Sequence, residues 1–286
     1  MLFPPPSSSL GVSPKVTVKI SSGLGNQLFQ FAAGLALARH RGCGLRLDLR
    51  PYLHAGKRSY QLDAFNLPQD VTLATDEPIE EGCRVHREPG FPFDPGFFDL
   101  APPVHLEGYF ISWRYFSTVA DELRRTCTPR RPRSRQAEEV ARMIAARPNA
   151  VSVHLRRGDY LSPTIQHLDP LPLDYYRRAL ATLETQVDGA LTCFVFSDDP
   201  AYSGEHTNFL PNRVLVDGDV DHPWESLILM RTCRHHIIAN STFSWWAAWL
   251  AEAEGKVVIA PGDWHTPSAL PAMDTRDVCP QEWNLV

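Results

Sequence analysis

Three short polar segments hold the residue types from which an anion-handling site can be built, and each follows an apolar stretch. His154-Leu155-Arg156-Arg157-Gly158-Asp159-Tyr160 places two guanidiniums at the end of the run Ala150–Leu155. Ser197-Asp198-Asp199 ends the run Thr192–Ser197, and Asn240-Ser241-Thr242-Phe243-Ser244 follows His236–Ala239. A guanidinium is almost never buried alone, and its natural partner is an anion. Gly158 lets the chain turn closely, while Asp159 is placed to orient one arginine and leave the other to fork onto phosphate oxygens. A structural Arg–Asp network at a domain interface is the other use of the same residues. The Asn240–Ser244 segment offers hydroxyls and backbone N–H groups where a helix begins, and helix N-termini attract phosphate. Ser241 or Thr242 would equally cap that helix. A carboxylate of Asp198-Asp199 suits the N1–H and exocyclic amine of guanine, or a turn and N-cap before Pro200.

Two further segments resemble ligand loops. Asp217, Asp219 and Asp221 have calcium-loop spacing, but His222 stands at the sixth position and Ile228 at the twelfth, where that loop needs Gly and Glu. Loop termination and helix capping are the expected roles, with a divalent site for a sugar nucleotide as the alternative. Gly23-Leu24-Gly25-Asn26-Gln27-Leu28 follows a strand pattern and opens a helix, with Asp48 closing the next strand. The third glycine of a dinucleotide fingerprint is replaced by Leu28, which argues against close packing over a pyrophosphate. A glycine turn presenting the amides of Asn26 and Gln27 fits a sugar or the far side of a nucleotide diphosphate better than a nicotinamide cofactor.

In doubly wound sheets, ligands bind outside the carboxyl ends of the strands, so these segments need parallel strands behind them. The pattern predicts strands at Lys15–Ile20 and Leu45–Leu49 around a helix at Phe29–His40, stopped by Gly42. Pro51–Pro103 holds eight prolines and reads as irregular segments and short strands decorating the first domain. A helix at Ser134–Arg147 is broken by Pro148-Asn149, where the domain boundary is expected. Beyond it, strands at 150–155, 192–197, 213–216, 236–239 and 256–260 alternate with amphipathic helices at 173–186, 224–232 and 243–254. Nearly all-apolar strands between helices mean a parallel sheet covered on both faces. Trp245, Trp246 and Trp249 share a face of the last helix and are assigned to packing.

Composition sets outer limits. The 286 residues are 43% hydrophobic and 21% charged, which excludes disordered, collagen-like and coiled-coil classes. With 28 basic against 33 acidic residues the net charge is -5, so no global basic field exists for a nucleic acid or an acidic membrane surface, and any anion site must be local. The six cysteines include no CxxC pair, which fits reduced thiols rather than a zinc ribbon or a disulfide scaffold. No run is long and apolar enough for a transmembrane segment. Residues 1–13 read as a disordered tail without a signal-peptide pattern, and cytoplasmic residence is the expectation.

Taken in order, GLGNQLFQFA (23–32), EGYFISWRYF (107–116), HLRRGDY (154–160), LPLDYYRRAL (171–180), FVFSDD (194–199) and HHIIANSTFSWWAAWL (235–250) resemble the α-1,2-fucosyltransferases of glycosyltransferase family 11, especially the bacterial type. The resemblance runs over nearly all of the chain after residue 14. It implies a GT-B-like α/β fold of two facing Rossmann-like domains, an acceptor-side domain over 14–148 and a donor-side domain over 149–286. It also implies GDP-fucose as donor, a β-galactoside acceptor, inversion at the anomeric carbon and no metal or other cofactor. Arg156 would hold the β-phosphate, His154, Asp198 and Asp199 the guanosine half, and Ser241, Thr242, Phe243 and Ser244 the neighbourhood of the phosphates. Asn26 would face the donor cleft from the first domain, with Arg157, Ser197 and Asn240 completing the donor site. Asp159, Glu107 or water would take the acceptor proton. A fucosyltransferase of other linkage, protein O- or α-1,6-, and a non-catalytic sugar-nucleotide-binding protein are the competing readings.

Overall fold

A computed structural model describes residues 14–53, 58–79, 82–162, 164, 167–266 and 274–286. The tail expected over 1–13 lies outside the described residues. The first sheet contains β1 (Val16–Lys19), β2 (Leu45–Asp48), β3 (Val71–Ala74), β4 (Arg84–Arg87) and β5 (Val104–Glu107), in the order β3-β2-β1-β5-β4. The second contains β6 (Ala150–Leu155), β7 (Thr192–Ser197), β8 (Val214–Val216), β9 (His235–Ile237), β10 (Val258–Ala260) and β11 (Asn284–Leu285), in the order β11-β10-β9-β6-β7-β8. Every ladder is parallel.

The strand order reverses between β1 and β5 in the first sheet and between β6 and β9 in the second. At those switch points the loops leaving neighbouring strands diverge and open a crevice. Ser21–Gly23 and Gly108–Tyr109 therefore flank the first crevice, and Arg156–Tyr160 and Asn240–Ser241 the second.

Strand β6 is buried along its whole length. Val151, Val153 and Leu155 pack with Tyr175 and Tyr176 of α4 (Leu173–Glu184), while Phe194 and Phe196 of the adjacent β7 face the other core, shared with α6 (Pro223–Thr232) and α7 (Thr242–Leu250). The period-2 alternation thus feeds two apolar layers, as a sheet covered on both faces requires. Helix α7 is not amphipathic as expected: its residues from Ser244 to Leu250 are buried, and it lies against both α6 and α1 (Leu24–Arg41). A helix apolar all round belongs inside a protein. Trp245, Trp246 and Trp249 pack there, with Trp246 stacked on Phe116 at 5.1 Å and Trp245 tilted against Phe29 at 4.6 Å.

Several boundaries differ from expectation for local reasons. Helix α1 starts at Leu24, not Phe29, and stops at Gly42 in the left-handed region with φ 62°. Helix α7 ends at Leu250 instead of Glu254, with Ala251 extended and the Lys256 ammonium donating to the free carbonyls of Ala248 (2.8 Å) and Ala251 (2.6 Å) at the helix end. The Pro-rich region contributes β3 and β4, full members of the first sheet rather than decoration. Helices α2 (Ala120–Thr126) and α5 (Pro200–His206) have no counterpart in the pattern. Helix α3 (Arg135–Ala145) is capped by Ser134, whose own N–H and hydroxyl donate to Glu225 of α6, so α3 rests on the second lobe.

Candidate functional site

Gly158 passes so close to Asp198 that a Cβ there would stand 2.6 Å from its Oδ2, so any larger residue would push that carboxylate aside. With the loops this close, the Asp198 carboxylate accepts the Arg157 backbone N–H at 2.8 Å and pairs with Arg156 Nη1 at 2.9 Å. Arg156 Nη2 lies 2.6 Å from Asp159 Oδ1, and the guanidinium sits over the Tyr160 ring. Arg157 turns the other way: its Nε meets Asp199 at 3.2 Å and its guanidinium carbon lies over Tyr202, 3.4 Å from the ring centre. The two adjacent arginines therefore have different surroundings. The ion-pair network exists, and Arg156 stands at the switch point with a fifth of its side chain exposed.

The Asp198-Asp199 pair is used locally. Asp199 caps α5 by accepting the Tyr202 N–H, and Ser197 Oγ accepts the Asp199 N–H. The capping alternative is thus what Asp199 does, and Asp198 positions Arg156. His154 is buried at the end of β6, 5.9 Å from the Phe243 ring, with Nδ1 unpartnered. Burial, then the Arg156 charge, pushes this imidazole down to about 4, so it is neutral near pH 7. The Asn240 side-chain amide donates to the carbonyls of Asp169 and Trp264, and its backbone carbonyl accepts the Tyr160 hydroxyl at 2.8 Å, so it ties three loops together.

Helix α7 begins where α1 begins. A Cβ on Gly25 would lie 2.6 Å from the Phe243 N and 2.5 Å from the Thr242 Oγ1, and across this contact Thr242 donates to Asn26 Oδ1 at 2.9 Å. Two helix N-termini, each carrying partial positive charge and unused N–H groups, thus abut beside Arg156's loop. Ser241 occupies the N-cap position without a side-chain bond to the helix, and Ser244 is buried with its hydroxyl on the Ser241 carbonyl. The sequence brings Asn26, Thr242 and Phe243 to one place, while Ser244 and Asn240 support it from behind.

The first lobe presents a different edge. Gln27 donates to the carbonyls of Ser22 and Ser59 and accepts the Gln61 N–H, which turns it into a loop clamp rather than a ligand amide. Gln30 accepts the Ser21 N–H and donates to Ser21 Oγ and the Gly108 carbonyl, bridging the loops on either side of the switch point. Glu88, pushed up by burial, accepts the N–H groups of Tyr109 and Phe110. Asp48, backed by buried His105, holds Arg50 on both oxygens. Glu107 pairs with Arg87 at 3.0 Å. In the Asp217–Asp221 loop, Asp219 accepts the N–H groups of Asp221 and His222 and meets the His222 ring, which is loop termination.

Arg58, Glu88 and Gln30 were missed by sequence reasoning. Arg58 crosses from the first lobe to Asp159 at 2.9 Å, a pairing 101 positions apart that no local pattern signals. Gln30 carried a signal, being a polar residue inside an apolar helix stretch.

Two parallel α/β sheets, whose switch-point loops meet through Thr242–Asn26 and Arg58–Asp159, make a GT-B-type fold. The Glycosyl transferase family 11 model matches residues 97–286, and the chain belongs to that family. It is 30% identical to alpha-1,2-colitosyltransferase of Escherichia coli, over 94% of this chain and 97% of that protein. It is 28% identical to galactoside alpha-(1,2)-fucosyltransferase 1 of Saimiri sciureus, over 87% of this chain and 68% of that one. Among solved structures, NodZ alpha-1,6-fucosyltransferase soaked with GDP-fucose superimposes with a TM-score of 0.52 at 14% identity, covering 84% of this chain and 93% of that chain. A mutant of Arabidopsis thaliana FUT1 in complex with GDP gives 0.52 at 14%, covering 91% of this chain and 73% of that one. Among the described residues, no helix is long and apolar enough to cross a membrane.

Proposed function

We propose that the protein moves L-fucose from GDP-fucose to the 2-hydroxyl of a terminal β-galactoside, with inversion and without a metal. The observation that carries this reading is the abutment of the α1 and α7 N-termini, tied by Thr242 and Asn26, next to Arg156. In a single displacement the acceptor oxygen bonds to C1 of fucose as the bond from C1 to the β-phosphate oxygen breaks. The electron pair stays on the leaving GDP. Negative charge therefore grows on the β-phosphate, and a preorganised guanidinium with two helix N-termini is suited to receive it. His154, neutral near pH 7, would face the guanosine half as a hydrogen-bonding ring. Asp159 has a guanidinium on each oxygen, so its role in this reading is to hold Arg156; the acceptor proton passes to water or to a first-lobe carboxylate.

The similarity to a colitosyltransferase favours GDP-colitose as a second donor to assay. The test is transfer from each radiolabelled donor to a panel of β-galactosides, with and without EDTA, and NMR of the product. An α-1,2 linkage formed equally with EDTA supports the reading. Another linkage, activity abolished by EDTA, or donor binding without transfer or hydrolysis would each overturn a named part of it.

A further inference from the structure

We propose that Arg58 is a second diphosphate ligand of the donor site, supplied by the first lobe; the proposal rests on the sugar-nucleotide reading above. Asp159 is gripped from both sides, with Arg156 Nη2 2.6 Å from Oδ1 and Arg58 Nη2 2.9 Å from Oδ2. The two guanidiniums come from opposite lobes and converge on one carboxylate. Guanidinium forks match carboxylate and phosphate oxygens alike, so the pair forms a clamp that a phosphate group also fits.

The place is the right one. A Cβ on Gly23 would lie 3.9 Å from the Arg58 Cζ, and Gly23 is the N-cap of α1, whose Asn26 bonds Thr242 at the start of α7. Arg58, the two helix N-termini and Arg156 are thus joined by a chain of direct contacts where the lobes meet. Folding does not explain the contact: Arg58 is half exposed and Asp159 is 41% exposed, and pairs so open to water contribute little stability. Charge does. Arg156 is already shared with Asp198, so one further cation is needed against a diphosphate that carries at least two negative charges. Arg58 is that cation, and Asp159 is the anion that orders both arginines before the donor arrives.

The test compares GDP and GMP binding by calorimetry in the full chain, for wild type, Arg58→Ala, Arg58→Lys, Asp159→Asn and the Arg58→Ala/Asp159→Asn double variant. GMP lacks the β-phosphate. Arg58→Ala is expected to weaken GDP about tenfold or more, the typical effect of losing a charged hydrogen bond, while GMP changes less than about twofold. Arg58→Lys should recover part of the loss. Unchanged GDP affinity in Arg58→Ala overturns the proposal. So does an equal weakening of GDP and GMP in Arg58→Ala, because the lost contact would then not be with the β-phosphate; an equal loss in Asp159→Asn with little added in the double variant supports Asp159 as the group that orders Arg58. Wild-type protein that binds GDP and yet transfers no sugar would sink the proposed reaction while leaving the arginine assignment standing.

Discussion

The carboxyl edges of the two sheets use the same parallel frame for opposite purposes. After β6 and β7 the chain sets out charge, with Arg156 between Asp159 and Asp198 and Arg157 between Asp199 and Tyr202. After β1 and β5 it sets out backbone, and the buried amides of Gln27 and Gln30 fix the shape of the loops. Charge held by counter-charge can be handed to an incoming anion with little reorganisation, whereas amide clamps define a rigid surface for a neutral partner. The charged edge suits an anion and the amide-clamped edge a neutral surface, with Arg58 the first lobe's reach across to the charged side.

The sharpest way to break this comparison is Arg156→Ala. Losing a preorganised donor to the developing phosphate charge should cut kcat by about 100- to 1000-fold in a transfer assay. A variant within about tenfold of wild type would show that the charged edge is structural. Gly25→Ala comes next, since its Cβ must push against the Phe243 backbone. A loss of about 1–3 kcal/mol in denaturant unfolding is expected, with weakened GDP binding, because the two helix N-termini are forced apart. Gln30→Leu tests the other edge: it should raise KM for the acceptor severalfold and leave GDP affinity unchanged, with about 1–3 kcal/mol lost from orphaned loop groups.

The smallest effect is one of pH. Burial holds His154 at about 4 and His236 well below the ordinary imidazole value, so both are unprotonated in the folded protein. The unfolded chain takes up those protons near pH 6.5. Stability should therefore be full above that value and fall as pH drops from 6.5 toward 4, as the unfolded chain takes up protons that the folded chain does not. Unfolding free energies that stay flat over this window would contradict the assignment.

The second lobe was legible where its strands are six-residue apolar runs: β6 and β7 lie where the pattern puts them. Strands β3 and β4 were not, since Val71–Ala74 and Arg84–Arg87 are short and largely unburied, and only pairing with β2 and β5 makes them strands. The early start of α1 is likewise a tertiary effect. Gly25 and Asn26 are poor helix formers, held in the first turn by their contacts with Thr242 and Phe243. At the site, motifs gave Arg156 and Thr242 by position after a strand. The partner of Asp159 in the first lobe could come only from the folded chain.

The central claim concerns where the diphosphate sits, and a crystal structure with GDP bound measures it directly. The account predicts the β-phosphate on the Arg156 guanidinium, beside the first turn of α7. A diphosphate lodged elsewhere, with Arg156 still locked between Asp159 and Asp198, would contradict it.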